Sequence, residues 1–352
     1  MSAHLPSLKI GDRRVSAVDP CYVIAEIGVN HNGNVDCARR LVDVAVECGA
    51  DAVKFQTFRT AELVTQDAPK AGYQAKQTGD GGQAAMLHEL ELRPADFELL
   101  NRHCAERAID FISTAFDEQS LHDVIALRPK CLKWPSGELT NQPLLRVAAQ
   151  SRLPIILSTG MAWLSEVATA LEFLEREHSG DVAVLQCVSN YPAALAEQNL
   201  ACIATMARAF GLVTGFSDHT EGPWAAIAAR PLGMAILEKH ITLDRNMPGP
   251  DHGASMEPQA FAELIKTLRL VEEAIGDGVK RPTSSEADTR AVARKSLVYA
   301  TALNAGHVLS AADLKAKRPG NGIGPDSLPL LLGRRLKDAV RSDQMAEFSD
   351  VD

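Results

Sequence analysis

The sequence predicts an α/β fold: a (β/α)₈ TIM barrel followed by a small β-rich domain. Short runs rich in Val, Ile and Leu alternate with amphipathic segments along the first 276 residues. Such alternation is typical of parallel βαβ units. Eight of these units within roughly 260 residues fit a closed barrel better than an open sheet. After Gly276 the alternation stops, which marks the start of a second part of the chain.

Each predicted strand is a short β-rich run, and amphipathic helices are predicted between the strands. The first 20 residues, which include LKIGDRRV, predict a hairpin below the barrel, and the segment 57–95 is too long for a simple turn, so it predicts short helices over the barrel mouth. The strands are predicted at 22–27, 52–56, 110–114, 131–134, 154–159, 182–187, 212–217 and 234–240. The helices are predicted at 37–50, 96–108, 142–151, 163–178 and 261–276.

The last part of the chain predicts a linker and a separate domain. Residues 277–290 are polar and rich in Pro and Ser, as linkers often are. Residues 291–352 contain short β runs and Gly-rich turns, and about 60 residues suffice for an independent domain. The predicted boundaries are therefore 1–276, 277–290 and 291–352.

Composition excludes some classes of function. The chain has 36 basic and 45 acidic residues, a net charge of −9, which disfavours binding to nucleic acid or to an anionic membrane. The N-terminal residues lack the apolar run of a signal peptide, and no apolar stretch reaches 18 residues. The seven cysteines include no CxxC pair, as expected for reduced thiols in a cytoplasmic protein.

Polar side chains follow every predicted strand, where the active site of a barrel enzyme lies. One subset combines cations with hydroxyls, which suit a phosphate and a carboxylate. A single Ser could instead cap the next helix, but this explains poorly why all of these residues converge on one mouth. The subset is Lys54, Thr114, Lys133, Ser136, Ser158 and Ser217.

A second subset contains two histidines at neighbouring strand ends. His219 and His240 follow the seventh and eighth strands, and Glu26 and Glu238 lie near them in a closed barrel. Two imidazoles with a carboxylate suit a divalent cation, and imidazole favours Mn²⁺ over Mg²⁺. Each imidazole could instead form ordinary hydrogen bonds without a metal, and the residue types alone do not decide between these two alternatives. In the same region, Asn30 and His31 are either turn formers or ligands.

Eight motifs in order extend this interpretation. They are IAEIGVNHNGN, AVKFQTF, FISTAFD, KWPSGE, ILSTGM, CVSNYP, GFSDHT and EKHITLDRNMPGPDH. Together they resemble the bacterial sialic acid synthases, which make N-acetylneuraminate or legionaminate. The last unit, from RKSLV through KRPGNGIGP, resembles that family's antifreeze-like (SAF) domain.

The resemblance implies a metal-dependent condensation of phosphoenolpyruvate with an N-acetylated mannosamine-type sugar, which releases phosphate. It implies a divalent cation on His219 and His240, Mn²⁺ first, with Mg²⁺ or Co²⁺ also suitable. Proton transfer falls to Glu26 or Glu138, and His240 is part of the catalytic set. Phosphoenolpyruvate is implied to bind Lys54, Thr114, Lys133, Ser136, Ser158, Ser189 and Ser217, and the sugar to meet Gln56, Tyr191, Asp251 and Arg318.

The position of Arg318 matches a family arginine that enters the partner subunit's active site, which implies a domain-swapped homodimer. Ser189 departs from the pattern, since some relatives carry Asn there. The acceptor stays open between N-acetylmannosamine and 2,4-diacetamido-2,4,6-trideoxymannose, with pseudaminate synthesis as a further branch. A synthase for another 3-deoxy sugar acid and a binding protein without activity are the competing hypotheses. His252 receives no role.

Overall fold

The computed structural model describes residues 5–352, which form two compact units. The first extends to Gly276 and the second from Asp277 to Asp352. Within residues 5–352 no helix is both long and apolar enough to cross a bilayer.

A hairpin closes the N-terminal end of the first unit. Its strands, β1 (Ser7–Ile10) and β2 (Arg13–Ser16), pair antiparallel. Leu8, Ile10 and Val15 are buried against apolar side chains from the starts of the strands that follow. The hairpin thus covers the end of the barrel opposite the predicted active site.

Eight parallel strands form the barrel, which confirms the predicted fold. In the sheet they lie in the order β5, β4, β3, β10, β9, β8, β7, β6, and the two outer members, β5 and β6, lie side by side, so that the sheet is nearly closed. Their apolar runs are buried almost throughout, as both faces of a parallel barrel sheet are covered. The strands are β3 (Tyr22–Gly28), β4 (Ala52–Thr57), β5 (Asp110–Ala115), β6 (Leu132–Trp134), β7 (Ile155–Ser158), β8 (Val182–Cys187), β9 (Val213–Asp218) and β10 (Ile236–His240).

Helices surround the sheet, and several begin at a side-chain cap. Asn34, Asp117 and Asn141 each accept a hydrogen bond from a backbone N–H of the first turn. The helices of this unit are α1 (Val35–Glu47), α2 (Thr60–Leu63), α3 (Gly72–Thr78), α4 (Gln83–Leu90), α5 (Pro94–Glu106), α6 (Glu118–Ala126), α7 (Gln142–Gln150), α8 (Leu164–Arg176), α9 (Ala201–Phe210), α10 (Trp224–Ala229) and α11 (Pro258–Ile275). Helices α2, α3 and α4 fill the long segment between β4 and α5, whereas α6, α9 and α10 did not stand out in the sequence.

The second unit has its own small core. After an exposed segment it contains α12 (Ala287–Ala293), and then β11 (Ser296–Tyr299) pairs antiparallel with β12 (Leu314–Lys317). The segment expected to be a linker is exposed and includes the start of α12. The core consists of Leu297, Tyr299, Leu309, Leu314, Leu331, Leu336, Val340, Ala346 and Val351.

Candidate active site

A cavity of about 410 Å³ opens at the C-terminal ends of the barrel strands. Thirteen of the predicted site residues line it: Glu26, Lys54, Gln56, Thr114, Lys133, Ser136, Ser158, Ser189, Tyr191, Ser217, His219, His240 and Asp251. They come from all eight strands or the loops directly after them, because alternate residues of a strand face the barrel interior.

Two buried lysines lie on one side of this cavity. Lys133 Nζ donates to Ser158 Oγ at 2.6 Å and to the Trp134 carbonyl at 3.2 Å. Lys54 Nζ donates to Thr114 Oγ1 at 3.1 Å. Lys54 and Lys133 are 4% and 3% exposed, so their charges act in a region from which most water is excluded. Ammonium and hydroxyl groups arranged in this way can bind an anion.

Each lysine also faces a buried carboxyl group. Lys54 Nζ lies 2.9 Å from Glu26 Oε2, and Lys133 Nζ lies 3.7 Å from Glu238 Oε1. Ser217 Oγ donates to Glu238 at 3.1 Å, and Gln56 Nε2 donates to Glu26 at 3.1 Å.

The pKa values of the two carboxyl groups are shifted in opposite directions. Burial raises the pKa of Glu26 more than nearby Lys54 lowers it. Burial also acts on Glu238, but Lys133 and Lys54 outweigh it and lower that pKa. Glu26 is therefore the better suited of the two to hold a proton near neutral pH.

The two lysines differ as well. Burial lowers the pKa of Lys133, and its neighbour Glu238 only partly offsets this. Burial acts on Lys54 in the same direction, but Glu238 and Glu26 together raise its pKa. Lys54 thus keeps its charge more firmly than Lys133.

Ser136 and Ser189 meet at Gly160, which follows β7. The Gly160 N–H donates to Ser136 Oγ at 2.9 Å. A β-carbon at Gly160 would collide with the hydroxyls of Ser136 and Ser189 and would lie 3.2 Å from Cys187 Sγ. The glycine therefore lets two hydroxyls and a backbone amide approach one another, a further set of hydrogen-bonding groups for an anion.

His219 and His240 lie side by side at the ends of the adjacent strands β9 and β10. Their ring centroids are 5.5 Å apart, and the Tyr191 ring lies 4.1 Å from His219 and 5.6 Å from His240. His219 Nδ1 lies 2.8 Å from the Val188 carbonyl and donates its proton there, so Nε2 is the free nitrogen whenever the ring is neutral. Burial would lower the pKa of His219, but Cys187 and the Val188 carbonyl outweigh it and raise that pKa, so a cation at Nε2 would have to displace a proton.

The His240 ring has no hydrogen-bond partner within the described chain, and its Nδ1 is buried. Burial lowers the pKa of His240 well below its ordinary value, so the ring is neutral. An unprotonated, unpartnered imidazole beside a second imidazole is a suitable donor pair for a metal ion. No cluster of three or more His, Cys, Asp or Glu side chains with metal-binding geometry occurs among residues 5–352. Water and substrate would therefore have to complete the coordination of any ion at this pair.

Cys187 is a cavity residue that the sequence analysis did not select. Its Sγ lies 3.9 Å from His219 Nδ1 and 3.9 Å from Ser189 Oγ. Burial would raise its pKa, but His219 and Ser136 outweigh this and lower the pKa to about 7. In the sequence, only its position as the last residue of a predicted strand indicated that Cys187 could face the cavity.

Asp251 enters the cavity from the loop that follows β10. It is buried, and burial, with a smaller effect of Glu26, raises its pKa to about 6. The loop is fixed from outside: Ser255 Oγ donates to the Asp251 carbonyl at 2.7 Å, and Asn30 Nδ2 donates to Ser255 Oγ at 2.8 Å.

His252 also belongs to this fixed loop. Its Nδ1 lies 2.7 Å from Thr242 Oγ1, and its Nε2 lies 3.2 Å from Asn32 Oδ1. Asn30 and His252 thus connect the loop after β3 to the loop after β10, and neither lines the cavity.

Two predicted residues lie outside the cavity. Glu138 is in the turn after β6, and its carboxylate accepts a hydrogen bond from Asn141 at 2.7 Å. Arg318 belongs to the second unit, just after β12, where its Nε donates to the Ala293 carbonyl at 3.0 Å.

A wall of side chains from the segment between β4 and α5 was not identified from the sequence. Helices α3 and α4 place Tyr73, Gln74, Gln83, Met86, Leu87 and Leu90 on the cavity. Val29, Phe116 and Pro250 extend the apolar part of this wall. The length of the segment indicated that it covers the barrel mouth, but length does not indicate which side chains turn inward.

Known families and proteins match nearly the whole chain. The NeuB family matches residues 41–280, and the SAF domain matches residues 294–352. The N,N'-diacetyllegionaminic acid synthase of Legionella pneumophila is 41% identical over 336 residues, which cover 92% of this chain and 94% of the relative. The synthase of the same name from Campylobacter jejuni is 40% identical over 326 residues, covering 92% of this chain and 98% of the relative.

Solved structures agree with this result. The crystal structure of N-acetylneuraminic acid (sialic acid) synthetase from Leptospira borgpetersenii serovar Hardjo-bovis, in complex with citrate, superposes with a TM-score of 0.72 at 30% identity. The match covers 82% of this chain and 96% of that chain. The resemblance inferred from the eight motifs is confirmed: the chain belongs to the NeuB family of synthases and carries a SAF domain.

Proposed function

We propose that this protein condenses phosphoenolpyruvate with 2,4-diacetamido-2,4,6-trideoxymannose to form a nonulosonic acid and inorganic phosphate. The observation that carries the proposal is one cavity with two halves. Buried Lys54 and Lys133 with their hydroxyl partners form an anion-binding half, and His219 and His240 form a metal-binding half beside it. A reaction that joins an anionic enol phosphate to a sugar aldehyde needs both.

Phosphoenolpyruvate is proposed to bind Lys54, Thr114, Lys133, Ser136, Ser158, Ser189 and Ser217. The lysines are paired with Glu26 and Glu238 in the free enzyme, so an incoming anion competes with these carboxyl groups. Protonation of Glu26, favoured by burial, reduces that competition.

The reaction then needs proton transfers at defined atoms. C3 of phosphoenolpyruvate forms a bond to the aldehyde carbon, and the aldehyde oxygen takes up a proton. Water adds to the resulting C2 cation and loses one proton. The bond between C2 and the phosphate oxygen then breaks, the remaining hydroxyl proton passes to the leaving phosphate, and the ketone is left. Glu26 faces the cavity with a raised pKa, so it is the residue proposed to supply the first proton. Glu138 can take part in proton transfer only after its carboxylate has released the hydrogen bond from Asn141.

A divalent cation, Mn²⁺ before Mg²⁺ or Co²⁺, is proposed to bind His219 and His240. When bound, it would polarise the sugar aldehyde and acidify a water molecule. The neutral, unpartnered ring of His240 and the tautomer of His219 fit this role. Binding of Mn²⁺ by the protein, and its loss in His240→Ala, test the site without any substrate.

The acceptor is proposed to lie against Gln56, Tyr191 and Asp251, with its far end on the apolar wall of Met86, Leu90 and their neighbours. That wall suits a deoxy methyl group and an acetamido methyl group better than a hydroxymethyl or a phosphate. The names of the relatives from Legionella pneumophila and Campylobacter jejuni support the same acceptor.

The working enzyme is proposed to be a domain-swapped homodimer in the cytoplasm, with no membrane or nucleic-acid partner. Arg318 of one chain would then reach the sugar in the cavity of the other. Large apolar side chains are exposed on the loops and helix starts around the cavity mouth, with Trp163 and Trp224 at 78% and 67% exposure, and they offer a surface for a second copy.

One assay tests the function. The purified protein is incubated with phosphoenolpyruvate, Mn²⁺ and a panel of aldoses, and phosphate release is followed. Fast release with the diacetamido sugar and slower release with N-acetylmannosamine are expected. Preference for arabinose 5-phosphate would indicate a different 3-deoxy sugar acid synthase, and no release with any sugar would refute the enzymatic proposal.

The swapped dimer has a separate test. Chains carrying Arg318→Ala and chains carrying His240→Ala are co-expressed in equal amounts. Half of the dimers are then mixed and each has one complete site, so about a quarter of the wild-type activity is expected. If each site uses its own chain's Arg318, the mixture stays as inactive as the two parents.

A further inference from the structure

A buried ion pair lies directly behind the two cavity histidines. Lys239 Nζ is 2.8 Å from Asp218 Oδ2, and the two side chains are 2% and 0% exposed. Neither residue lines the cavity, and the proposed reaction uses neither charge. Their neighbours in the chain are His240 and His219.

The pair closes the hydrogen-bonded ladder between β9 and β10. Lys239 and Asp218 are the last paired residues of these strands, so His219 and His240 lie just beyond the point where pairing ends. Consecutive residues of a strand point to opposite faces. The ion pair therefore fixes the strand ends from the outer face while His240 projects into the barrel.

Thr220 extends this network to the far side of His219. Asp218 Oδ1 accepts hydrogen bonds from Thr220 N at 2.8 Å and from Thr220 Oγ1 at 2.7 Å. Lys239 Nζ donates to the Thr220 carbonyl at 2.8 Å. The residues on both sides of His219 are thus tied to the strand that carries His240.

The His240 ring has no hydrogen bond of its own in the described chain. Its direction therefore depends on the backbone of β10 and on packing against Tyr191 and His219. A buried charge pair is often no more stabilising than apolar side chains of the same volume, so stability alone does not account for it.

We propose that Lys239 and Asp218 are positioning residues that set the separation of His219 and His240, and through it the affinity of the site for a divalent cation. This inference rests on the metal site proposed above. Side chains that hydrogen-bond to metal ligands typically change metal affinity about 10- to 100-fold when they are replaced. Lys239 and Asp218 act on the two histidines through the backbone, so an effect at the lower end of this range is expected.

The test compares this ion pair with a second, largely buried ion pair at the opposite end of the barrel. Lys239→Met with Asp218→Asn removes both charges of the proposed pair and leaves no unpaired buried charge. Arg230→Met with Glu272→Gln removes a second pair of charges at the N-terminal end of the barrel, where Arg230 Nε lies 3.0 Å from Glu272 Oε1. Arg269, which also pairs with Glu272, is partly exposed and stays in contact with water. The Mn²⁺ dissociation constant is measured by electron paramagnetic resonance, and Tm by thermal unfolding.

The Lys239/Asp218 double variant is expected to bind Mn²⁺ about tenfold more weakly. The Mn²⁺ dissociation constant of the Arg230/Glu272 double variant should stay within about twofold of the wild-type value, even if the Tm of both double variants falls by the same amount. Thr220→Val keeps both charges and the backbone bonds, and should weaken binding about threefold; it replaces the first double variant if that one does not fold.

Equal Mn²⁺ affinity in the two double variants, while His240→Ala abolishes binding, would overturn this inference and leave the metal site standing. If the Lys239/Asp218 variant does not fold, wild-type affinity in Thr220→Val overturns it. Unchanged Mn²⁺ binding in His240→Ala would overturn the metal site itself, and this inference with it.

Discussion

Replacement of Lys133 by Met removes the more deeply buried of the two cations in the anion-binding half of the cavity. Lys133 is 3% exposed, and its ammonium group contacts Ser158, the Trp134 carbonyl and Glu238. Methionine has a similar length and apolar stem, so the packing of the side chain is largely kept. The change therefore removes a charge and its donors with little change in volume.

The loss can be estimated from the contacts. A hydrogen bond from a charged donor to a bound anion contributes about 1.5–3 kcal/mol. At 1.36 kcal/mol per factor of ten, kcat/KM for phosphoenolpyruvate should fall about 10- to 150-fold. Lys133 also does most to lower the pKa of Glu238, so that pKa should rise in the variant. Above the new pKa the carboxylate repels the anionic substrate, so the deficit should grow as pH rises.

The assay is phosphate release at saturating acceptor and Mn²⁺, with phosphoenolpyruvate varied at several pH values. Lys130→Met is the matched control, since Lys130 lies just before the same strand at its other end. Its side chain is half exposed and pairs with Asp110 at 2.6 Å, so a change under about twofold is expected. A decrease of less than threefold in Lys133→Met, or an equal decrease in the control, would refute the assignment of Lys133 to the anion.

Three further outcomes are expected. Gly160→Ala should lower kcat/KM for phosphoenolpyruvate about tenfold by displacing two serine hydroxyls, whereas Gly72→Ala, at an exposed position outside the cavity lining with open space around it, should not. Chelation with EDTA should abolish activity, and Mn²⁺ should restore it, which a metal-independent enzyme would not show. Burial lowers the pKa of His31 to about 4, so its neutral form stabilises the fold above pH 6.5, and up to about 3 kcal/mol is lost as pH falls toward 4. His31→Asn should flatten the decline of Tm over that range; an unchanged slope would contradict it.

Much of the candidate site follows from the sequence because of how a parallel barrel is built. Once eight strands are recognised, their C-terminal ends must share one face, and alternation selects the inward side chains. Lys54, Lys133, His219 and His240 could therefore be placed together without coordinates.

Other features depended on the tertiary structure, because they join residues that are far apart in the chain. The apolar wall needs α3 and α4 to fold over the mouth, and a long loop does not reveal which of its side chains turn inward. The carboxylate of Glu138 is held by Asn141 outside the cavity, although its motif suggested a catalytic position. Protonation states also depend on burial and on neighbouring charges, which the chain alone does not specify.

The sequence by itself determined the fold class, the family and the set of groups at the strand ends, since strand periodicity and motif order are local properties. Only the tertiary structure decided that Glu238 lies against Lys133 and that Lys239 and Asp218 form a buried pair behind the two histidines. The physical reason is that hydrogen bonds and ion pairs between strands depend on register and on the way side chains pack, and both arise only when the barrel closes.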